Sequence, residues 1–105
     1  STDLIEEIKK LDIDRLSDKG LKELIYLANR WPSLVSPTEI IEALEIKRST
    51  VYSVTNLLEE KKLITKTTSL KDVRKSFVRI TEKGLNLLEE LTVQLELVLK
   101  EKGYI

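Results

Sequence analysis

The 105-residue sequence predicts a single domain that is mainly α with one small β-hairpin, an α+β class, on three observations. Apolar residues recur at helical spacing through most of the chain. Only Glu45 to Lys47 separate two of the helical stretches, so those helices must cross steeply. Two β-branched segments, "LITKTT" and "FVRIT", flank the charged loop "SLKDVRKS" and read as the strands of a hairpin.

Taken in order, Leu4, Ile5, Ile8 and Leu11 mark a short amphipathic helix within residues 1–16. Ser17 can cap a second helix through "DKGLKELIYLANRW", with Leu21, Leu24, Ile25 and Ala28 as its apolar face and Pro32 as its stop. In "SPTE", Ser36 accepts from the first amides of a third helix, Pro37 sits where a missing N–H costs nothing, and Glu39 completes a capping box. That helix, Pro37 to Leu44, presents Ile40, Ile41 and Leu44. The next helix begins at Arg48, and the pair has helix-turn-helix spacing. The hairpin that follows, with Leu63 and Ile64 on one strand and Phe77, Val78 and Ile80 on the other, is then a wing. Residues 17–81 thus form a winged helix-turn-helix, and Thr81 caps a long final helix in residues 82–105.

Composition removes several function classes. Cysteine and histidine are absent, which excludes thiol nucleophiles, disulfides and the commonest zinc ligands, and no cofactor is expected. There is no glycine-rich phosphate loop and no nucleophile–histidine pair, so the chain is not expected to be an enzyme. No apolar run reaches the roughly 18 residues of a membrane span and none resembles a signal peptide, so a cytoplasmic location is expected.

Net charge is zero, but its distribution is not uniform. From Lys47 to Arg79 there are nine basic residues against three acidic ones, and the rest of the chain carries nine against fifteen. One cationic surface on an acidic body is implied, with scattered solvated lysines as the alternative. Within that region "RSTVYSVTNLLEEKKL" pairs an apolar stripe, Val51, Val54, Leu57 and Leu58, with a reverse face of Ser49, Tyr52 and Asn56 flanked by Arg48 and Ser53. A helix facing only water usually carries Glu and Lys pairs there. Lys47 and Arg48 also stand at the positive end of the helix dipole, at a cost of about 0.3 to 1 kcal/mol each, which a bound phosphate would reverse. Pairing of Glu45 with one of them is the alternative.

The final helix carries Leu85, Leu87, Leu88, Leu91, Val93, Leu95, Leu97, Val98 and Leu99, more apolar surface than one stripe hides. Leu88, Leu91, Leu95 and Val98 follow 3-4-3 spacing and, with Leu4, Ile8 and Leu11, could form a two-fold dimer interface. Contact with the chain's own core is the other reading.

"SPTEIIEAL", "IKRSTVYSVTNLLEEKKLI", "KDVRKSFVRITEKG" and the apolar helix behind them, about Leu21 to Leu91, closely resemble the winged-helix regulators of the multiple-antibiotic-resistance regulator (MarR) class. The resemblance implies a homodimer with N- and C-terminal dimerisation helices that binds double-stranded DNA as a transcriptional regulator, a repressor, at an inverted repeat. Its recognition helix, about 48–61, would enter the major groove and its wing, about 69–76, the minor groove. On that reading Lys47, Arg48, Ser49, Thr50, Tyr52, Ser53 and Asn56 face DNA from the helix. Lys66, Thr68, Lys71, Arg74 and Lys75 do so from the wing, Arg74 at its tip, while Ser36 and Thr38 meet the backbone. Glu45 and Lys62 stand where such proteins favour glycine. The N-terminal helix is brief for the class, and no small-molecule effector is specified. A DNA-organising or plasmid-partition protein that spreads along DNA, and a winged helix used for protein contact, are the competing readings, which fold alone does not separate.

Overall fold

The computed structural model describes residues 16–72 and 75–105. Their elements are α1 (Asp18–Arg30), α2 (Pro37–Leu44), α3 (Arg48–Glu60), β1 (Ile64–Thr68), β2 (Ser76–Ile80) and α4 (Glu82–Glu101). The expected N-terminal helix with Leu4, Ile8 and Leu11 lies outside the described residues, as does Arg74.

Ser17 caps α1 by accepting from the Gly20 amide at 3.0 Å. The face that α1 buries differs from the one its periodicity suggests: Gly20, Glu23, Leu24 and Leu27 are buried, whereas Ile25 is exposed and Leu21 and Ala28 are partly covered. The helix has two apolar sides, and the core takes the Leu24–Leu27 side.

The capping box of α2 forms as the sequence dictates. Glu39 donates its amide to Ser36 Oγ at 3.2 Å, and the Glu39 carboxylate accepts the Ser36 amide at 3.0 Å. Arg30 at the end of α1 lies over the Tyr26 ring, donates to its hydroxyl at 2.9 Å and reaches Glu39 at 3.9 Å, which joins the α1 terminus to this cap. The turn into α3 needs a left-handed residue, and Glu45 supplies it at φ 53°. Lys62 does the same after α3 at φ 62°. There the amides of Lys62 and Leu63 close back on the carbonyls of Glu59 and Leu58, a Schellman end built without glycine. Each such residue costs on the order of 1 to 2 kcal/mol, which the packed domain absorbs.

In α3 the buried residues are Val51, Thr55 and Leu58, with Val54 packed beside them. Leu57, expected in the stripe, is 45% exposed, and Thr55 takes its place. The reason lies 32 residues away: Thr55 Oγ1 donates to the buried Glu23 carboxylate at 2.9 Å. Burial raises the Glu23 carboxyl from 4.5 to about 7, with the Thr55 bond opposing the rise.

The hairpin pairs Ile64 with Ile80 and Thr68 with Ser76 in an antiparallel register. Its period of two buries Val78 and Ile80 and turns Phe77, grouped with them in the sequence, toward the opposite face. Val35 exchanges two backbone hydrogen bonds with Val78, both 2.8 Å, and adds a rung to the outer edge of β2.

Thr81 starts α4 by accepting from the Gly84 amide at 3.1 Å while its hydroxyl donates to the Lys62 carbonyl at 2.8 Å. Gly84 is required by contact: a Cβ would stand 2.5 Å from the Leu63 carbonyl oxygen and 2.6 Å from Ile80 Cγ1. Only Gly84 and Leu87 of α4 are buried, so its second half leaves the core.

Two outcomes follow. Gly84→Ala should destabilise the domain by about 1 to 3 kcal/mol in urea unfolding, because backbone cannot yield as a side chain does. Glu23 holds its proton in the folded chain over a pH range where the unfolded chain releases it. Its stabilising contribution is therefore complete below about pH 4.5 and lost as pH rises through about 7. Glu23→Gln should remove this dependence, matching the parent near pH 4 and exceeding it near pH 8 by up to about 3 kcal/mol in denaturant titrations.

Candidate nucleic-acid interface

Three elements converge on one cleft. The start of α2 contributes Ser36, Pro37 and Thr38, the first turns of α3 contribute Arg48 and Tyr52, and the foot of the wing contributes Lys75, Ser76 and Phe77, around about 410 Å³. Helix crossing brings the two helix starts together, and the hairpin register sets Lys75 and Ser76 beside them. Arg48 Nη1 donates to the Tyr52 hydroxyl at 3.4 Å, one helical turn on, which spreads a guanidinium and a phenol along the outer side of α3.

Of the residues expected on the recognition helix, Lys47, Arg48, Ser49, Tyr52, Ser53 and Asn56 are exposed and Thr50 is half-buried. Tyr52 and Asn56 are not drawn into the core. On the wing Lys66, Thr68, Lys71 and Lys75 are exposed. Ser36 is half-buried in its capping box and Thr38 is exposed. Not every cation of the basic segment gathers at the cleft: Lys61 lies at the far end of α3, where its carbonyl accepts from Lys83 Nζ at 2.9 Å. Ser76 and Phe77 line the cleft although nothing in the sequence marked them.

The two helix starts differ in how their amides are used. The α2 start is closed by its own side chains, whereas Lys47 at the cap of α3 makes no side-chain hydrogen bond and no acid stands in the first turn. No ion pair joins Glu45 to Lys47 or Arg48 among the described residues. The opening of α3 therefore presents free N–H groups and two cations together, a combination suited to an anion.

Leu88 and Leu91 of α4 are partly buried against the core, and with Leu95 they face Leu21, Ile25 and Ala28 of α1 across an apolar groove of about 350 Å³. Val98 is partly covered, and Val93 and Leu97 are exposed. Among the described residues no group of carboxylates is placed to hold a metal ion, and no helix is long and apolar enough to cross a membrane.

A helix-turn-helix whose second helix shares a cationic cleft with a hairpin defines a winged helix-turn-helix protein. More narrowly, the fold is the MarR-type winged helix. The chain is similar to a MepR variant of S. aureus bound to an oligodeoxyribonucleotide, with 23% identity over 93% of this chain and 72% of that one and a TM-score of 0.82. It is similar also to Bordetella bronchiseptica BpsR, whose DNA binding 6-hydroxynicotinic acid regulates, with 22% identity over 93% and 71% and a TM-score of 0.76. The Thermotoga maritima transcriptional regulator Tm0710 matches with 23% identity over 93% and 68% and a TM-score of 0.74. These solved structures are regulators and not enzymes. No protein-family model and no curated protein matches the sequence.

The uncapped start of α3 makes a stability prediction. Lys47→Asp supplies both a side-chain acceptor and the favoured charge, and should raise unfolding free energy by about 1 kcal/mol in urea titrations. No gain would mean that the α3 amides are already satisfied.

Proposed function

We propose that this chain is a transcriptional regulator, a repressor, that binds double-stranded DNA sequence-specifically as a homodimer on an inverted repeat. The convergence of Ser36, Thr38, Arg48, Tyr52 and Lys75 on one cleft carries the reading. A backbone phosphate at this point would meet Arg48 and Lys75 from two elements and hydroxyl donors from Ser36 and Thr38. With the phosphate held there, α3 lies along the major groove and offers Tyr52, Ser53 and Asn56 to base edges. The likeness in fold to a MepR variant bound to an oligodeoxyribonucleotide supports DNA as the partner.

The dimer is supported by α4, whose second half carries Val93, Leu95, Leu97 and Val98 with no buried residue. Twenty residues span about 30 Å, enough to hold a second copy away from the DNA-facing cleft. A two-fold pair would present two copies of α3 to half-sites about 34 Å apart.

Selection from a random duplex pool tests this reading. It should return an inverted repeat bound with strong salt dependence. Asn56→Ala should then lose about 1 to 3 kcal/mol and relax preference at one base position of each half-site. Equal loss on every sequence would remove Asn56 from base reading. A footprint that lengthens with protein concentration would favour a DNA-organising role, and no salt-sensitive binding to any duplex would overturn the proposal.

A further inference from the structure

The wing carries an apolar side chain where solvation favours polar ones. Leu70 has a relative exposure of 103%, the highest of any large hydrophobic residue among those described, and touches no core. The residues around it are held by hydrogen bonds. Ser69 Oγ accepts from the amides of Lys71 at 3.2 Å and Asp72 at 3.3 Å. The Ser69 amide donates to the Lys75 carbonyl at 2.8 Å, and the Lys75 amide to the Asp72 carbonyl at 2.9 Å. Four hydrogen bonds thus tie Ser69, Lys71, Asp72 and Lys75 together beside Leu70, which stays fully exposed.

Its surroundings say what it would meet. Lys71 follows it directly, Lys75 closes the same loop, and Lys66 stands on β1, all exposed. Lys75 also lines the cleft shared with Arg48 and Tyr52, so the loop and α3 serve one side of the molecule. A lone apolar group rimmed by cations complements a surface that is anionic at its edges and apolar inside. The minor groove has this form: phosphates at the rims, sugar C–H groups as walls, and a width of about 6 Å that a leucyl side chain enters. A membrane surface shares the anionic rim, but one leucine supplies too little apolar area to anchor a domain there.

We propose that Leu70 is a specificity-determining residue of the wing: it enters the minor groove, packs against sugars and base edges, and favours A·T over G·C pairs beneath the loop. The inference rests on the DNA-binding reading above. The discrimination has a steric cause, since guanine places its N2 amino group in the minor groove where adenine and thymine leave only flush acceptors.

The test uses the full chain and the duplex selected by the parent protein, prepared with A·T, G·C or inosine·C pairs at the flank under the wing. Inosine lacks the N2 amino group and presents the minor groove of an A·T pair. The parent should bind the A·T and inosine flanks alike and the G·C flank about tenfold less tightly. Leu70→Ala should bind the A·T flank about tenfold less tightly, discriminate little between flanks, and keep the parent's salt slope, because no charge is removed. Lys71→Ala should instead flatten the slope by about one unit and keep the discrimination. Leu70→Ala binding and discriminating as the parent does would overturn the inference while leaving the DNA reading intact, as would a G·C flank bound as tightly as inosine·C. A parent chain that binds anionic vesicles and no duplex would overturn both.

Discussion

The arrangement depends on one close approach, that of Gly84 to the Leu63 carbonyl and to Ile80. Because no side chain intervenes, the first turn of α4 rests directly on the end of α3 and the base of the hairpin. Thr81 reinforces the joint twice, donating through its hydroxyl to Lys62 and through its amide to Leu63. Lys83 then reaches back to the Lys61 carbonyl. The helix that carries Tyr52 and Asn56, the wing and the long α4 therefore share a root. Their relative orientation is set by packing and hydrogen bonds, not by a linker.

That root explains how the cleft is held. The inner side of α3 is anchored by Val51 and Leu58 in the core and by the Thr55–Glu23 bond to α1. The outer side is left to small polar and cationic groups. At its start, α3 forgoes the side-chain cap that α2 possesses, and two cations sit where the dipole disfavours them. Local stability and fitness for an anion point in opposite directions there, as expected where a site and a fold compete.

Much of this was legible in the chain. "SPTE" specified the α2 start because capping chemistry is local, and the resemblance placed Glu45 and Lys62 where the class favours glycine, the two positions that are left-handed in the structure. Long-range facts were not legible. Thr55 reads as a surface residue until Glu23 is seen beside it, and a bond across 32 positions leaves no periodic trace. The face of α1 was misjudged because both its sides are apolar, and only tertiary packing chooses between them. Phe77 was read on the returning strand, where it lies, and strand alternation sets it on the face opposite Val78 and Ile80. Ser36, Thr38, Arg48, Tyr52 and Lys75 of the cleft were readable by type, Ser76 and Phe77 were not, and the meeting of all of them depends on helix crossing and hairpin register together.

The rung between Val35 and Val78 has a consequence for solubility. A two-stranded ribbon exposes two rows of unpaired amides and carbonyls, either of which can recruit a strand from another molecule. Val35 covers the β2 edge at Val78, while on the β1 edge Lys66 sits among threonines. A neighbouring molecule adding to that row would have to bring a second lysine alongside the first. Like charges thus guard the β1 edge, and high local concentration need not end in strand exchange there.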